Sequence, residues 1–136
     1  ENSQTELTKG AYILSETEGK DPDLILMASG SEVSLVLSAK QALEQEGLAV
    51  RVVSMPSWEL FEKQDEAYKD HVLPPQIKKR LAVEMAYPLG WERYVGSQGA
   101  ILGITTFGSS APGGKVIEEF GFTVSNVVQK AKALLS

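Results

Sequence analysis

The stretch Asp23 to Ala28, DLILMA, is an apolar run that does not alternate, and it stops at Ser29-Gly30. Alternation marks a strand with one wet face. An unbroken run of this length suits a strand covered on both faces, as in a parallel sheet flanked by helices. The next residues agree. From Ser31 to Glu46, apolar side chains fall at Leu35, Val36, Ala39, Ala42 and Leu43, one helical stripe, and Gly47 is placed as a C-cap. Val50 to Met55, VRVVSM, is β-branched and stops at Pro56. Strand, helix and strand together take about 30 residues, the length of a right-handed βαβ crossover.

The rest of the chain repeats this rhythm. Tyr12 to Leu14 predicts a short edge strand. Trp58 to Val72 predicts one or two short helices closed by Pro74-Pro75, and Leu81 to Met85 a strand interrupted by Glu84. Gly90 to Val95 allows one turn of helix. Ala100 to Phe107 predicts a strand, Gly108 to Gly114 a small-residue loop, and Lys115 to Phe120 a helix. Thr123 to Leu135 is the clearest helix: Val124, Val127, Val128, Ala131, Leu134 and Leu135 share a stripe, and Lys130 and Lys132 sit near its end, where the helix dipole favours cations. The expected fold class is α/β: a five-stranded, mostly parallel sheet with helices on both faces.

Composition bounds what such a domain can do. At 136 residues with 43% apolar side chains, one domain is expected. Thirteen basic against eighteen acidic residues leave a net charge of −5, without the cationic surplus that nucleic-acid binding needs. No apolar run approaches the roughly 20 residues of a membrane span. The absence of cysteine excludes disulfides, thiolate zinc sites and cysteine nucleophiles, and it fits a reducing compartment. The opening ENSQTELTKG has no Met and no targeting pattern, so it reads as a polar linker leading into a domain of a longer protein.

Few motifs carry chemistry. Ser29-Gly30-Ser31-Glu32 lies where a strand meets a helix, and such a turn can bind an anion through backbone N–H groups. The same residues spell a capping box, with Ser29 as cap and Glu32 reaching back into the place an anion needs, and capping is the reading adopted here. Gly108 to Gly114 is either a tight connector or a contact with a ligand or a neighbouring domain. His71 has no nucleophile or orienting group beside it in sequence and reads as a surface histidine. Asp65-Glu66 and Glu118-Glu119 read as solvated faces. Glu84, a carboxylate within an apolar strand, must sit at an edge or be held by a partner, and it is the one titratable group expected in a perturbing environment. Trp58, Phe61, Trp91, Tyr94 and Phe107 fall beside loops. They either plug helix–sheet corners or form a surface covered in a larger protein, and we expect some of them to do the latter.

From RVVSMPS (Arg51–Ser57) the sequence resembles the C-terminal domain of transketolases. The blocks ASGSEV (Ala28–Val33), FEKQDEAY (Phe61–Tyr68), YVG (Tyr94–Gly96), TTFGSSAPG (Thr105–Gly113) and EEFGFTVSNVV (Glu118–Val128) follow the same pattern in the same order. The likeness covers residues 10–136, which it implies are the transketolase C-terminal α/β domain, with residues 1–9 as linker. It implies part of a pentose phosphate pathway enzyme, cytoplasmic in bacteria, that moves a two-carbon ketol unit between sugar phosphates. Thiamine diphosphate and a divalent metal, Mg or Ca, would be held by other domains of a homodimer. The family's GDG…NN metal–diphosphate motif, its catalytic histidines and its activating glutamate have no counterpart in this sequence. No catalytic, cofactor-binding or metal residue is therefore assigned, and the segment alone is expected to be inactive. Its expected partners are the other domains of the chain, with no nucleic acid and no membrane. The alternative is a free-standing module that binds a small ligand or phosphate at Ser29–Ser31.

Overall fold

The computed structural model of the protein describes residues 9–29, 32–84, 92–96, 98–103 and 124–135. Its strands are β1 (Tyr12–Glu16), β2 (Leu24–Ala28), β3 (Val50–Ser54), β4 (Arg80–Glu84) and β5 (Ala100–Gly103). Its helices, numbered here in chain order, are α1 (Glu32–Gln45), α2 (Trp58–Glu62), α3 (Glu66–Val72), α4 (Glu92–Val95) and α5 (Val124–Leu135). The five strands form one sheet in the order β1-β3-β2-β4-β5. All neighbouring pairs are parallel except β1 with β3, so the expected mostly parallel five-stranded sheet is what forms. The two short helices expected between Trp58 and Val72 are α2 and α3.

Alternation of side chains across the central strands builds two cores. Leu24, Leu26, Val50, Val52, Leu81 and Val83 face α1 and α5, meeting Val36, Ala39, Leu43, Val127 and Ala131. Ile25, Met27, Val53 and Ala82 face the other way, onto Phe61, Val72, Tyr94 and Val95 from α2, α3 and α4. Every residue of β2 and of β3 is buried, which is why neither strand alternates in sequence.

Local chemistry sets the element ends. Gly47, at φ +89°, closes α1: its N–H reaches Glu44 O at 3.0 Å and that of Leu48 reaches Leu43 O at 3.2 Å, the double bond of a Schellman turn. Ser57 caps α2 by accepting from Leu60 N. Asp65 caps α3 by accepting from Tyr68 N at 2.9 Å. Asp65 is therefore more than the solvated charge expected of it. Lys132 of α5 pairs with Glu46 beyond the end of α1 at 2.8 Å and ties these two helices together.

β1 runs two residues past the expected Leu14, with an irregular register between Ile13 and Ser15. The segment before it is pinned. Ser57 N–H donates to Gly10 O at 3.0 Å, and the Tyr68 hydroxyl donates to Ala11 O at 2.7 Å. Lys9 Nζ lies 4.4 Å from the centre of the Tyr68 ring. Gly10 has φ +87°, and a Cβ there would fall 2.2 Å from Ser57 O, so only glycine fits. The linker at residues 1–8, the segment 104–107 of the expected last strand, the 108–114 loop, the 115–120 helix and Glu118-Glu119 lie outside the described residues.

Candidate functional site

The chain passes from β2 to β3 on one side of the sheet and then returns to place β4 on the other side of β2. Ligands in open α/β sheets favour the carboxyl ends of the strands at such a reversal. Here that place is filled from within. Ala28 and Val83 are paired in register, and just beyond them the Ser29 hydroxyl donates to Glu84 Oε1 at 3.2 Å. Glu84 is 9% exposed and β4 is an interior strand, so its carboxylate is held by a partner rather than placed at an edge. Helix α1 opens at Glu32, three residues beyond Ser29 and not directly after it. The capping role expected of Ser29 is therefore corrected: its hydroxyl serves Glu84, 55 residues away. Glu32 is also buried in the first turn of α1, so this end of the sheet carries two buried carboxylates, a poor place for an anion.

The opposite end is built on two arginines that the sequence reading passed over. Arg51 Nε donates to Glu16 Oε1 at 2.7 Å, and its Nη1 reaches His71 O at 2.8 Å and Val72 O at 3.3 Å. Arg80 Nη2 reaches Leu73 O at 3.3 Å and Pro74 O at 2.8 Å, Nη1 reaches Tyr94 O at 2.7 Å, and Nε reaches Ile77 O at 2.9 Å. A helix leaves its last carbonyls without partners, and the guanidinium groups supply them at the end of α3. Burial pushes Arg80 below the ordinary arginine range. The signal that singled out Glu84, a charge inside an apolar strand, was equally present at Arg51 in VRVVSM.

Between α2, α3 and α4 lies a third polar group. The Tyr94 hydroxyl donates to Glu62 Oε2 at 2.6 Å, with Lys69 Nζ 3.4 Å from Oε1 and Arg93 Nη1 3.9 Å from Oε2. The Tyr94 hydrogen bond, and then the Lys69 and Arg93 charges, hold the Glu62 carboxyl below its usual range. Burial first, then the Glu62 carboxylate, pushes the Tyr94 phenol up to about 12. Phe61 and Tyr94 are 2% and 4% exposed, with ring centres 6.0 Å apart, and Trp58 leans on Tyr94 at 5.5 Å. Phe61 and Tyr94 thus take the first of the two expected alternatives and plug the domain's own core. Trp91 and Phe107 lie outside the described residues. The large apolar side chains exposed among the described residues are Leu14 and Leu60, at 37% and 38%.

His71 is exposed, as expected, and contributes its backbone carbonyl to Arg51. Among the described residues, no three His, Asp or Glu side chains come together in a group that could hold a metal ion. The arrangement is one of charges and dipoles spent on joining secondary structures.

Residues 10–123 match the family described as the transketolase-like TK C-terminal domain. The curated transketolase of Geobacillus stearothermophilus is 56% identical over 127 residues, covering 93% of this chain but 19% of the relative. The solved transketolase of Leishmania mexicana superposes with a TM-score of 0.82 at 41% identity, over 96% of this chain and 18% of that one. A Pichia stipitis transketolase, solved in complex with sedoheptulose 7-phosphate, superposes with a TM-score of 0.78 at 35% identity, over 94% of this chain and 18% of that one. The chain therefore spans about a fifth of the length of the relatives it matches.

Proposed function

The chain belongs to the transketolase-like C-terminal domain family, and from that premise we propose that it folds and packs a transketolase without carrying the reaction. One observation supports this most directly. Nearly the whole chain aligns, yet it accounts for 19% of its relatives. The remainder of such an enzyme is the natural home of its cofactor, since thiamine diphosphate supplies the carbanion chemistry of ketol transfer and the protein supplies binding and orientation. On this reading the complete enzyme moves a two-carbon unit between sugar phosphates of the pentose phosphate pathway. Other domains hold thiamine diphosphate with Mg or Ca, and the enzyme works as a cytoplasmic homodimer. Residues 1–9 are linker and residues 10–136 the domain, with no catalytic, cofactor-binding or metal residue among them. Among the described residues, no helix is long and apolar enough to cross a membrane.

The reading of Ser29–Ser31 as an anion site is disfavoured, because Ser29 is engaged with one buried carboxylate and Glu32 adds another. The test is direct. Thiamine diphosphate with Mg²⁺ is titrated into the 136-residue chain by calorimetry, and ketol transfer from a ketose phosphate is then assayed. No heat of binding and no turnover are expected. Micromolar cofactor binding, or turnover by this chain alone, would place the active site here and refute the proposal.

A further inference from the structure

At the end of the sheet away from Ser29 and Glu84 lies an open cleft of about 350 Å³. Pro75 and Val95 give it apolar walls, Gly96 forms a turn at its rim, and Lys78, Arg80 and Gln98 supply its polar groups. In a chain of net charge −5, two cations meet in this cleft, and none of the described residues lining it is acidic. Arg80 makes four hydrogen bonds, all to backbone carbonyls, and has no carboxylate within ion-pair distance among the described residues. Lys78 Nζ makes one long contact, 3.5 Å to Pro75 O. Carbonyls orient a guanidinium but bring no net negative charge, so both cations remain electrostatically unmatched.

We propose that this cleft binds the phosphate group of a small phosphorylated molecule between the Arg80 guanidinium and the Lys78 ammonium. The donor inventory selects phosphate over a planar carboxylate. A guanidinium has five N–H donors, and both on Nη2, the one on Nε and one on Nη1 are already committed. The two-pronged grip that suits a carboxylate is therefore broken, and one N–H remains. A single N–H, a rotatable ammonium and the Gln98 amide are separate single donors lining one cleft, a set that suits a tetrahedral group with several acceptor oxygens. The volume is at the small end of ligand sites and leaves room for little beyond a compact phosphorylated molecule. This site comes in addition to the role proposed above, and its test varies Lys78 and Gln98 while leaving the structural Arg80 in place.

The probe is inorganic phosphate, titrated at fixed ionic strength into the isotope-labelled 136-residue chain while backbone amide shifts are followed. Saturable shifts confined to Gly96, Gln98 and the 78–80 segment are expected in the millimolar range. Lys78→Gln, at an exposed side chain, should weaken binding about tenfold, the loss of one charge-assisted contact, with amides elsewhere unmoved. Gln98→Ala should weaken it less, and Lys20→Gln, outside the cleft, should leave it unchanged. Shifts spread over all lysines, or unaffected by Lys78→Gln, would overturn the proposal. So would a tighter response to a tetraglutamate peptide than to phosphate, which would make the cleft a contact for an acidic protein segment.

Discussion

Arg51 and Arg80 flank Ile25 in one cross-strand row of the sheet, and between them they take four consecutive carbonyls, from His71 to Pro74. The chain leaving α3 is thus fastened to the sheet carbonyl by carbonyl. Replacing Arg51 by Met should cost about 2–3 kcal/mol, because two carbonyls and Glu16 lose a partner that is itself almost fully buried. Arg51→Lys should recover less than half of this, since an ammonium cannot span three acceptors in a fixed fork. Urea unfolding with an unchanged slope checks both values.

Ser29→Ala should destabilise the domain by about 1–2 kcal/mol through Glu84, the charged acceptor it leaves behind. In combination with Glu84→Gln the two losses should fall short of additive, which a double-mutant cycle reads as coupling. Strict additivity would mean that Ser29 acts elsewhere.

Gly10→Ala should cost about 2–5 kcal/mol, joining the positive-φ penalty to a steric clash with Ser57 and Phe61. Gly19→Ala is the control. Its φ of +81° is similar, but nothing lies within 4 Å of the added carbon, so about 1–2 kcal/mol is expected. The gap between the two urea midpoints isolates the close approach from the backbone strain.

Two opposite pH dependences meet at one hydrogen bond. Glu62 has a lowered pKa in the fold, so its contribution is present above the ordinary carboxylate value near 4 and is lost as pH falls through the folded value. Tyr94 has a raised one, so its contribution is intact below the ordinary tyrosine value near 10 and is lost as pH rises toward about 12. Glu62→Gln should flatten the acid limb of the stability profile. Tyr94→Phe should flatten the alkaline limb and remove the highest-pH component of the phenolate absorbance titration.

What could be read from the sequence follows from what periodicity encodes. The unbroken runs at Leu24–Ala28 and Val50–Ser54 disclosed strands covered on both faces, and the stripes of α1 and α5 disclosed the helices that cover one of those faces. Periodicity assigns a residue to a face but does not name its partner. Ser29 was given a neighbour three residues away when its partner lies 55 away. Phe61 and Tyr94 were judged by the loops beside them, yet short helices aim both rings into the sheet. Arg51 and Arg80 bind backbone carbonyls, which have no residue-type signature, so sequence could show a misplaced charge but never its acceptors.

The pinning of Lys9 to Ala11 has a mechanical meaning. A pull arriving through residue 9 meets the Gly10–Ser57 and Ala11–Tyr68 hydrogen bonds before it meets the β1–β3 ladder. Load is thereby shunted into α2 and α3, on the periphery, and the parallel strands behind them are shielded from tension. Residues 9–11 work as a strain relief, like the collar on a cable, so that a pull on them can be taken up without unzipping the sheet from its edge.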